Sequence, residues 1–339
     1  MNLDAFDYFL PDNKIAQNPK KNRSSSKLLI INKETHELKD EIFSNIHNYF
    51  SSKDLLVVND TKVIPARIFG YRKHTNGKVE IFIERIISEK KFICQIQSTR
   101  KIKNENIVVI NNEIELKIIE NNSITCEVEI LNSNINDLLE NYGEIPLPPY
   151  INRQATKRDK LYYQTIFAKK EGSVASPTAA LHFDDKTLEN LKNKNINIAS
   201  ITLHIGMGTF SSIKKKNIDS HKMHPEIYCV PQKTKNLINS HKKNGGNIIA
   251  VGTTTARALE SFYSKKHAAD KVYETDIFIK PGYKFKIIDN LITNFHLPKS
   301  TLLIMVSAFY DREKILNAYN HALKNNYKFF SYGDSTLII

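Results

Sequence analysis

Chemistry at neutral pH calls for groups that gain and lose protons there, and histidine is the side chain whose ordinary pKa lies in that range. Of the 11 histidines in this chain, His182, His204, His221, His224 and His296 stand in turns of small or polar residues. His182 nearly closes residues 171–183, Glu-Gly-Ser-Val-Ala-Ser-Pro-Thr-Ala-Ala-Leu-His-Phe, whose side chains are too small for an ordinary packed strand or helix. Small residues let a backbone approach a ligand, Gly172 permits dihedrals that others avoid, and Pro177, before Thr178, fixes the turn. A tight turn between two core elements reads the same way. His204 follows an apolar strand at 196–203 and opens His-Ile-Gly-Met-Gly-Thr-Phe. Gly206, Gly208 and Thr209 there offer a backbone concavity, although the third glycine and immediate helix of a dinucleotide fingerprint are missing. His296 lies in Asn294-Phe-His-Leu-Pro-Lys-Ser300, after a strand at 287–293.

His221, His224 and Glu226 invite a metal reading, but their spacing is not that of a helical His-Glu-x-x-His site and Pro225 interrupts any helix. Gly252, Thr253, Thr254 and Thr255 fall between a buried strand at 247–251 and a helix at 256–264. Free amides and the positive dipole end there suit a carboxylate or phosphate, and the threonines equally suit a helix cap. Asp60 comes just after a buried strand at 55–58, a common ligand position in α/β folds, or caps its own turn. Arg153 stands in a basic loop and could grip an anion with two parallel hydrogen bonds. Aromatic residues beside lysines at 327–334 could stack on unpaired bases or anchor a core.

Other segments must position these. Helical periodicity is expected at 42–50, 137–142, from Asp184 or Asp185 to about 194 with Leu188 and Leu191 inward, at 233–243, from Ser300 or Thr301 to 309, and at 311–325. From Arg67 to about Leu131 the texture becomes short, alternating, β-branched segments divided by turn signals such as Asn76-Gly77. That spacing suggests a small antiparallel barrel or sandwich, with a surface that could face nucleic acid. A length of 339 residues allows a large core and two domains. The net charge of +13 favours a polyanionic partner, although an AT-rich genome supplies the same lysines. No apolar run is long enough to cross a bilayer, and the early acids rule out a basic leader. Three distant cysteines argue against a disulfide framework and for a reducing cytoplasm.

Taken together, residues 172–183, 202–210, 221–226, 252–261, 275–283, 292–309 and 329–338, with 6–18, 56–67 and 146–153, resemble the S-adenosylmethionine:tRNA ribosyltransferase-isomerases of queuosine biosynthesis. Thr-Asn-Phe-His-Leu-Pro-x-Ser-Thr-Leu and Phe-Phe-Ser-Tyr-Gly-Asp are far more specific than a short fingerprint. Two departures are mild: Ser176 stands where the family usually has alanine, and Ala180 where it usually has glycine. The stretch 67–131 is the weakest match. The resemblance implies an α/β fold, with a larger mixed α/β layered domain from residues 1–66 and 145–339 and a smaller inserted antiparallel β-barrel domain at 67–144. It implies transfer of the ribosyl part of S-adenosylmethionine to the aminomethyl group of 7-aminomethyl-7-deazaguanine at the tRNA wobble position. Rearrangement then gives epoxyqueuosine, with loss of adenine and methionine. No metal, flavin or nicotinamide is implied, because S-adenosylmethionine is consumed as a substrate. The expected partners are that substrate and tRNA, with no membrane and no obligate protein partner, in a cytoplasmic monomer.

Such a reaction needs a base for the ribose proton next to the sulfonium, and a proton for the departing adenine. His182 or His204 is expected nearest the ribose, with His296 and Asp276 completing the catalytic set. Asp276 or Glu226 would meet the sulfonium, or the faces of Tyr283 or Phe210 would. The methionine carboxylate would rest on Gly252, Thr253 and Thr254, or pair with Arg257. Asp60, Arg67, Arg153, Pro177, Thr178, Gly206, Gly208, Thr209, His224, Asn294, Tyr332 and Asp334 are further substrate-binding candidates. Two other readings stay open: a non-catalytic RNA-binding protein, which does not need histidine-bearing turns, and a metal-dependent hydrolase on His221, His224 and Glu226.

Overall fold

A strand that is apolar on both faces must lie between two covering layers, and Leu55–Asn59 is buried at every position. Its side chains divide by parity, Leu55 and Val57 joining one core cluster and Leu56 and Val58 another. The computed structural model, which describes residues 1–122, 125–210, 213 and 215–339 except for the side chains of Met207 and Phe210, places this strand inside a nine-stranded sheet. The order is Val272–Thr275, Glu226–Cys229, Asn197–Leu203, Leu55–Asn59, Ile248–Val251, Asn290–Asn294, Ser335–Ile338, Lys27–Ile31, Leu38–Ile42.

One face carries the helices Thr253–Ser264, Thr301–Phe309 and Arg312–Lys324, through Leu259, Phe262, Leu303, Ile315 and Tyr319. The other is covered by Phe43, Ile46, Ala180, Phe183 and Leu191.

Strand direction decides where function can gather. Asn197–Leu203, Leu55–Asn59, Ile248–Val251 and Asn290–Asn294 run parallel. Their carboxyl ends, and the turns that follow, therefore share one edge of the sheet. Ser335–Ile338 runs antiparallel to Asn290–Asn294, and Lys27–Ile31 runs parallel to Ser335–Ile338. So the segments that precede these two strands, up to Asp334 and Ser26, reach that same edge.

Six strands form a closed antiparallel barrel in the order Cys126–Ile130, Lys91–Ser98, Lys78–Ser88, Arg67–Arg72, Ile107–Ile110, Ile114–Asn121. Its interior takes alternate residues, among them Val79, Ile81, Ile83, Phe92 and Cys94. The helix Ile135–Tyr142 adds Ile135, Leu138 and Leu139.

Several elements differ from sequence expectation. Residues 42–50 divide into the end of the strand Leu38–Ile42 and a 3-10 helix, Phe43–Tyr49, because an edge position beside Lys27–Ile31 captures the first part. A helix at Lys157–Tyr162 was not foreseen. It is held by a capping box in which Thr156 and Asp159 exchange side-chain and backbone bonds. Tyr327, Phe329, Phe330 and Tyr332 are all buried, so the closing aromatic run anchors the core and offers no exposed face for stacking on unpaired bases.

Candidate active site

The shared edge holds a cavity of about 300 Å³. Its wall is assembled from the turns after the parallel strands: Ile205 and Thr209, Gly252, Thr253 and Thr254, and Phe295 to Ser300, with Thr293 and Asn294 at the strand end. Ala175 to Ala179, Pro149, Tyr150, Tyr163, Phe330 and Ser331 close it.

Gly252 shows why one turn has its shape. Its φ of +93° is a conformation L side chains avoid, and its amide donates to the Ile292 carbonyl at 2.8 Å. The helix begins at once, at Thr253, three residues before the sequence suggested, with no side-chain cap. The threonines therefore form the first turn. Thr255 Oγ1 bonds back to the Val251 carbonyl at 2.8 Å, and the amides of Thr253 to Thr255 have no intrahelical acceptor by position. Asn59, the last residue of the strand Leu55–Asn59, locks this corner. Its side chain donates to the Leu203 carbonyl at 2.9 Å and to Thr254 Oγ1 at 3.3 Å, and accepts from the Leu203 amide at 3.0 Å.

Among the described residues, His296 is the only histidine in the cavity wall. Its Nε2 lies 2.9 Å from Thr293 Oγ1, its amide donates to Tyr319 Oη and its carbonyl accepts from Tyr8 Oη. Burial pushes its pKa down to about 3, so the ring is neutral at physiological pH. His182 lies just behind the wall, with Nδ1 2.8 Å from Ser26 Oγ and Nε2 3.1 Å from Asn294 Nδ2. The amide nitrogen can only donate, so Nε2 is the acceptor and the proton sits on Nδ1. Burial lowers this pKa to about 4, against an opposing pull from Asp334. His182 therefore fixes Asn294, whose side-chain oxygen accepts from Thr178 in the wall at 2.9 Å. His204 bonds Thr61 Oγ1 at 2.8 Å and lies outside the lining. Burial lowers its pKa too, partly offset by Asp60.

Several candidates are occupied within the protein. Arg257 and Glu226, each only 4 % exposed, form a buried ion pair, and Glu226 also accepts from Thr209 at 3.0 Å. Arg257 thus spends Nη1 on Glu226, while its Nη2 is buried without a hydrogen-bond partner among the described residues, and Glu226 is taken up by Arg257 and Thr209. Arg153 does grip a carboxylate with two bonds of 2.7 Å, but it is Asp159. Burial would raise the Asp159 pKa, and the bonds from Arg153, Thr156 and Tyr332 more than reverse this. Asp334 accepts from Lys20 and from the amides of Lys27 and Lys328. Asp60 accepts from Thr202 at 2.6 Å, and Tyr283 donates to Glu260 at 3.0 Å.

Others stand apart. Arg67 pairs with Glu80 in the barrel, and Asp276 and His224 are exposed and outside the lining. Gly206 has open space around it, whereas Gly208 packs on the His224 ring. Phe210 as an aromatic face lies outside the described side chains. No group of three or more His, Cys, Asp or Glu residues is arranged to hold a metal ion among the described residues.

Sequence reasoning missed Tyr163 and Ser176. Both line the cavity, and neither hydroxyl makes a well-formed hydrogen bond among the described residues, that of Tyr163 lying near the Ser176 backbone and the Ser331 hydroxyl. Buried polar groups are nearly always paired, so two such hydroxyls in one wall mark where a ligand's polar groups would go. For Ser176 a signal existed, since a serine stands where the resemblance leads one to expect alanine.

The model of the Queuosine biosynthesis protein family matches residues 3–338. The chain belongs to this family. Similar relatives include the S-adenosylmethionine:tRNA ribosyltransferase-isomerase of Sulfurihydrogenibium sp. (strain YO3AOP1), 47% identical over 339 residues and covering 100% of both chains. The protein of the same name from Vesicomyosocius okutanii is 47% identical over 338 residues, covering 100% of this chain and 98% of that one. Among solved structures, the S-adenosylmethionine tRNA ribosyltransferase of Thermotoga maritima is similar at 31% identity and a TM-score of 0.58, with 99% of this chain and 100% of that chain covered. The queuosine-family strings quoted from the sequence thus supply much of the cavity wall: 175–179, 205 and 209, 252–254, 293–300 and 330–331.

Proposed function

We propose that this chain is an S-adenosylmethionine:tRNA ribosyltransferase-isomerase. It moves the ribosyl group of S-adenosylmethionine to the aminomethyl group of 7-aminomethyl-7-deazaguanine at the tRNA wobble position and releases adenine and methionine. The observation that carries this reading is the single cavity into which the family's separate sequence strings converge.

The lining suggests how the substrate is held. Among the described residues it contains no acidic side chain, so the sulfonium is met by aromatic faces. Tyr150 and Phe330 are the pair suited to it, with centroids 4.6 Å apart. This replaces Asp276 and Glu226 in that role. The methionine carboxylate rests on the free amides at the start of the Thr253–Ser264 helix. Tyr163 and Ser176 hydrogen-bond the polar edge of the nucleoside. The sulfonium acidifies the adjacent ribose carbon, and His296 is the histidine of the wall placed to take this proton, a role that requires its pKa in the substrate complex to lie well above the value of about 3 that burial imposes. His182 acts through Asn294 as a positioning residue. The reaction as read needs no metal or redox cofactor, since the sulfonium supplies the activation.

No helix among the described residues is long and apolar enough to cross a membrane. Action on tRNA places the protein in the cytoplasm, and we read it as a monomer. The test is incubation with S-adenosylmethionine and tRNA carrying the aminomethyl base, followed by nucleoside mass spectrometry. Epoxyqueuosine, with adenine released in equal amount, is the expected result; unchanged nucleosides would refute the reading.

A further inference from the structure

Resting on that reading, we propose that the RNA is gripped by a basic surface made of the 20–23 loop and the Lys157–Tyr162 helix, beside the cavity, and that the barrel is not the main grip. Residues 19–27 hold four cations and no acid. Arg23 ties this loop to the end of the helix, Nη1 donating to the Gln164 carbonyl at 2.7 Å and Nη2 to the Leu161 carbonyl at 3.0 Å. Arg23 and Arg158 both approach the Tyr162 ring, at 5.5 and 5.6 Å from its centroid. The one acid in the helix, Asp159, is buried and paired with Arg153.

Lys21, Lys157, Arg158 and Lys160 are exposed and enter no ion pair among the described residues. Exposed cations without internal counter-charges are those that gain from releasing phosphate counterions.

Position supports the same partner. Tyr163, next to Tyr162, lines the cavity, and Ser331 lines both the cavity and the small cleft between Lys20, Arg23 and Tyr162. Leu161, 68 % exposed, adds an apolar face. A nucleic acid lying here has phosphates on the cations, a base against Tyr162 or Leu161, and its reacting base within reach of the cavity. In the barrel, Arg67, Lys73, Lys91 and Lys117 are spent on Glu80, Glu115, Glu127 and Glu105, whereas Lys78, Arg85 and Lys90 are exposed and enter no ion pair among the described residues, so these three are the barrel's fair comparison.

The experiment compares binding of tRNA carrying the aminomethyl base across a salt series. For Lys21→Ala/Arg158→Ala/Lys160→Ala, affinity near 0.1 M salt falls at least about 30-fold. The slope of log affinity against log salt falls by about 2, as expected for three phosphate contacts at about 0.7 each. Melting temperature and the KM for S-adenosylmethionine at saturating tRNA stay unchanged. Tyr162→Ala loses about tenfold in affinity with an unaltered slope. A barrel triple of exposed, unpaired cations, Lys78→Ala/Arg85→Ala/Lys90→Ala, stays within about twofold of the parent. Affinity within twofold for the first triple, or an equal loss for the barrel triple, overturns the proposal while leaving the enzymatic reading intact. A parent protein that binds no tRNA overturns both.

Discussion

At the scale of residues, the five histidines flagged by type separate by what their ring nitrogens touch. His296 lines the cavity, His182 is consumed between Ser26 and Asn294, and His204 is held on Thr61. For His296→Gln, which can keep a bond to Thr293, kcat for adenine release should fall by about 10²-fold or more with little change in the KM for S-adenosylmethionine. Turnover near the parent rate would remove His296 from the chemistry. Tyr163→Phe gives a test with opposite signs. Deleting a buried hydroxyl without a well-formed hydrogen bond should leave stability equal or improve it by about 1 kcal/mol, while the KM for S-adenosylmethionine rises. Lower stability with an unchanged KM would make the hydroxyl structural.

The buried histidines also set a pH dependence. Their folded pKa values, about 4 for His182 and about 3 for His296, lie below the unfolded value of about 6.5. Between these limits the unfolded chain binds more protons. Stability is therefore full above about pH 6.5 and falls on acidification, by up to about 1.4 kcal/mol per pH unit per group. Denaturant midpoints measured from pH 7 to 4 should show this, and His182→Gln should flatten the slope.

At the scale of elements, the sequence made strands, most helices and the small-residue turns readable, because burial on two faces, helical periodicity and caps are local signals. Ser300 and Asp311 do cap their helices, and Asp184 does as well. What escaped depends on partners distant in the chain. Arg153 is the exception: its partner Asp159 is six positions on, inside a Thr156-x-x-Asp159 capping signature that is legible locally and that sequence reading passed over. Arg257 and Glu226 are 31 positions apart and meet only because the helix after one strand packs on another. Asn59, at the end of its strand, bonds across 144 positions to Leu203.

Gly172 illustrates an element-level demand that type alone suggested. Its φ is +138°, and a Cβ there would lie 3.0 Å from the His204 ring. Gly172→Ala should cost about 1–3 kcal/mol and displace His204 from Thr61, seen as a lower melting temperature and an altered His204 ring signal by NMR. An unchanged melting temperature would contradict this. Phe330, with φ +67°, is the reverse case: a bulky residue in a left-handed conformation at the cavity wall. It is held there by its amide on the Phe295 carbonyl and its carbonyl on Asn294 and Gly333.

At the scale of the molecule, the convergence of distant strings has a simple cause. Parallel strands end at one edge, and Ser335–Ile338 and Lys27–Ile31, which run the other way, bring the segments before them to that edge as well. Periodicity could announce the strands but not their order, which is why the cavity could be expected and its lining could not be enumerated. The net charge of +13 likewise pointed to a polyanion without locating it.

The most direct measurement of the central claim is a crystal structure with S-adenosylmethionine and an anticodon stem–loop bearing the aminomethyl base. The account predicts the nucleoside against Tyr163 and Ser176, the sulfonium by Tyr150 and Phe330, and the carboxylate at the start of the Thr253–Ser264 helix. A ligand bound outside this cavity, or carried by the barrel, would contradict it.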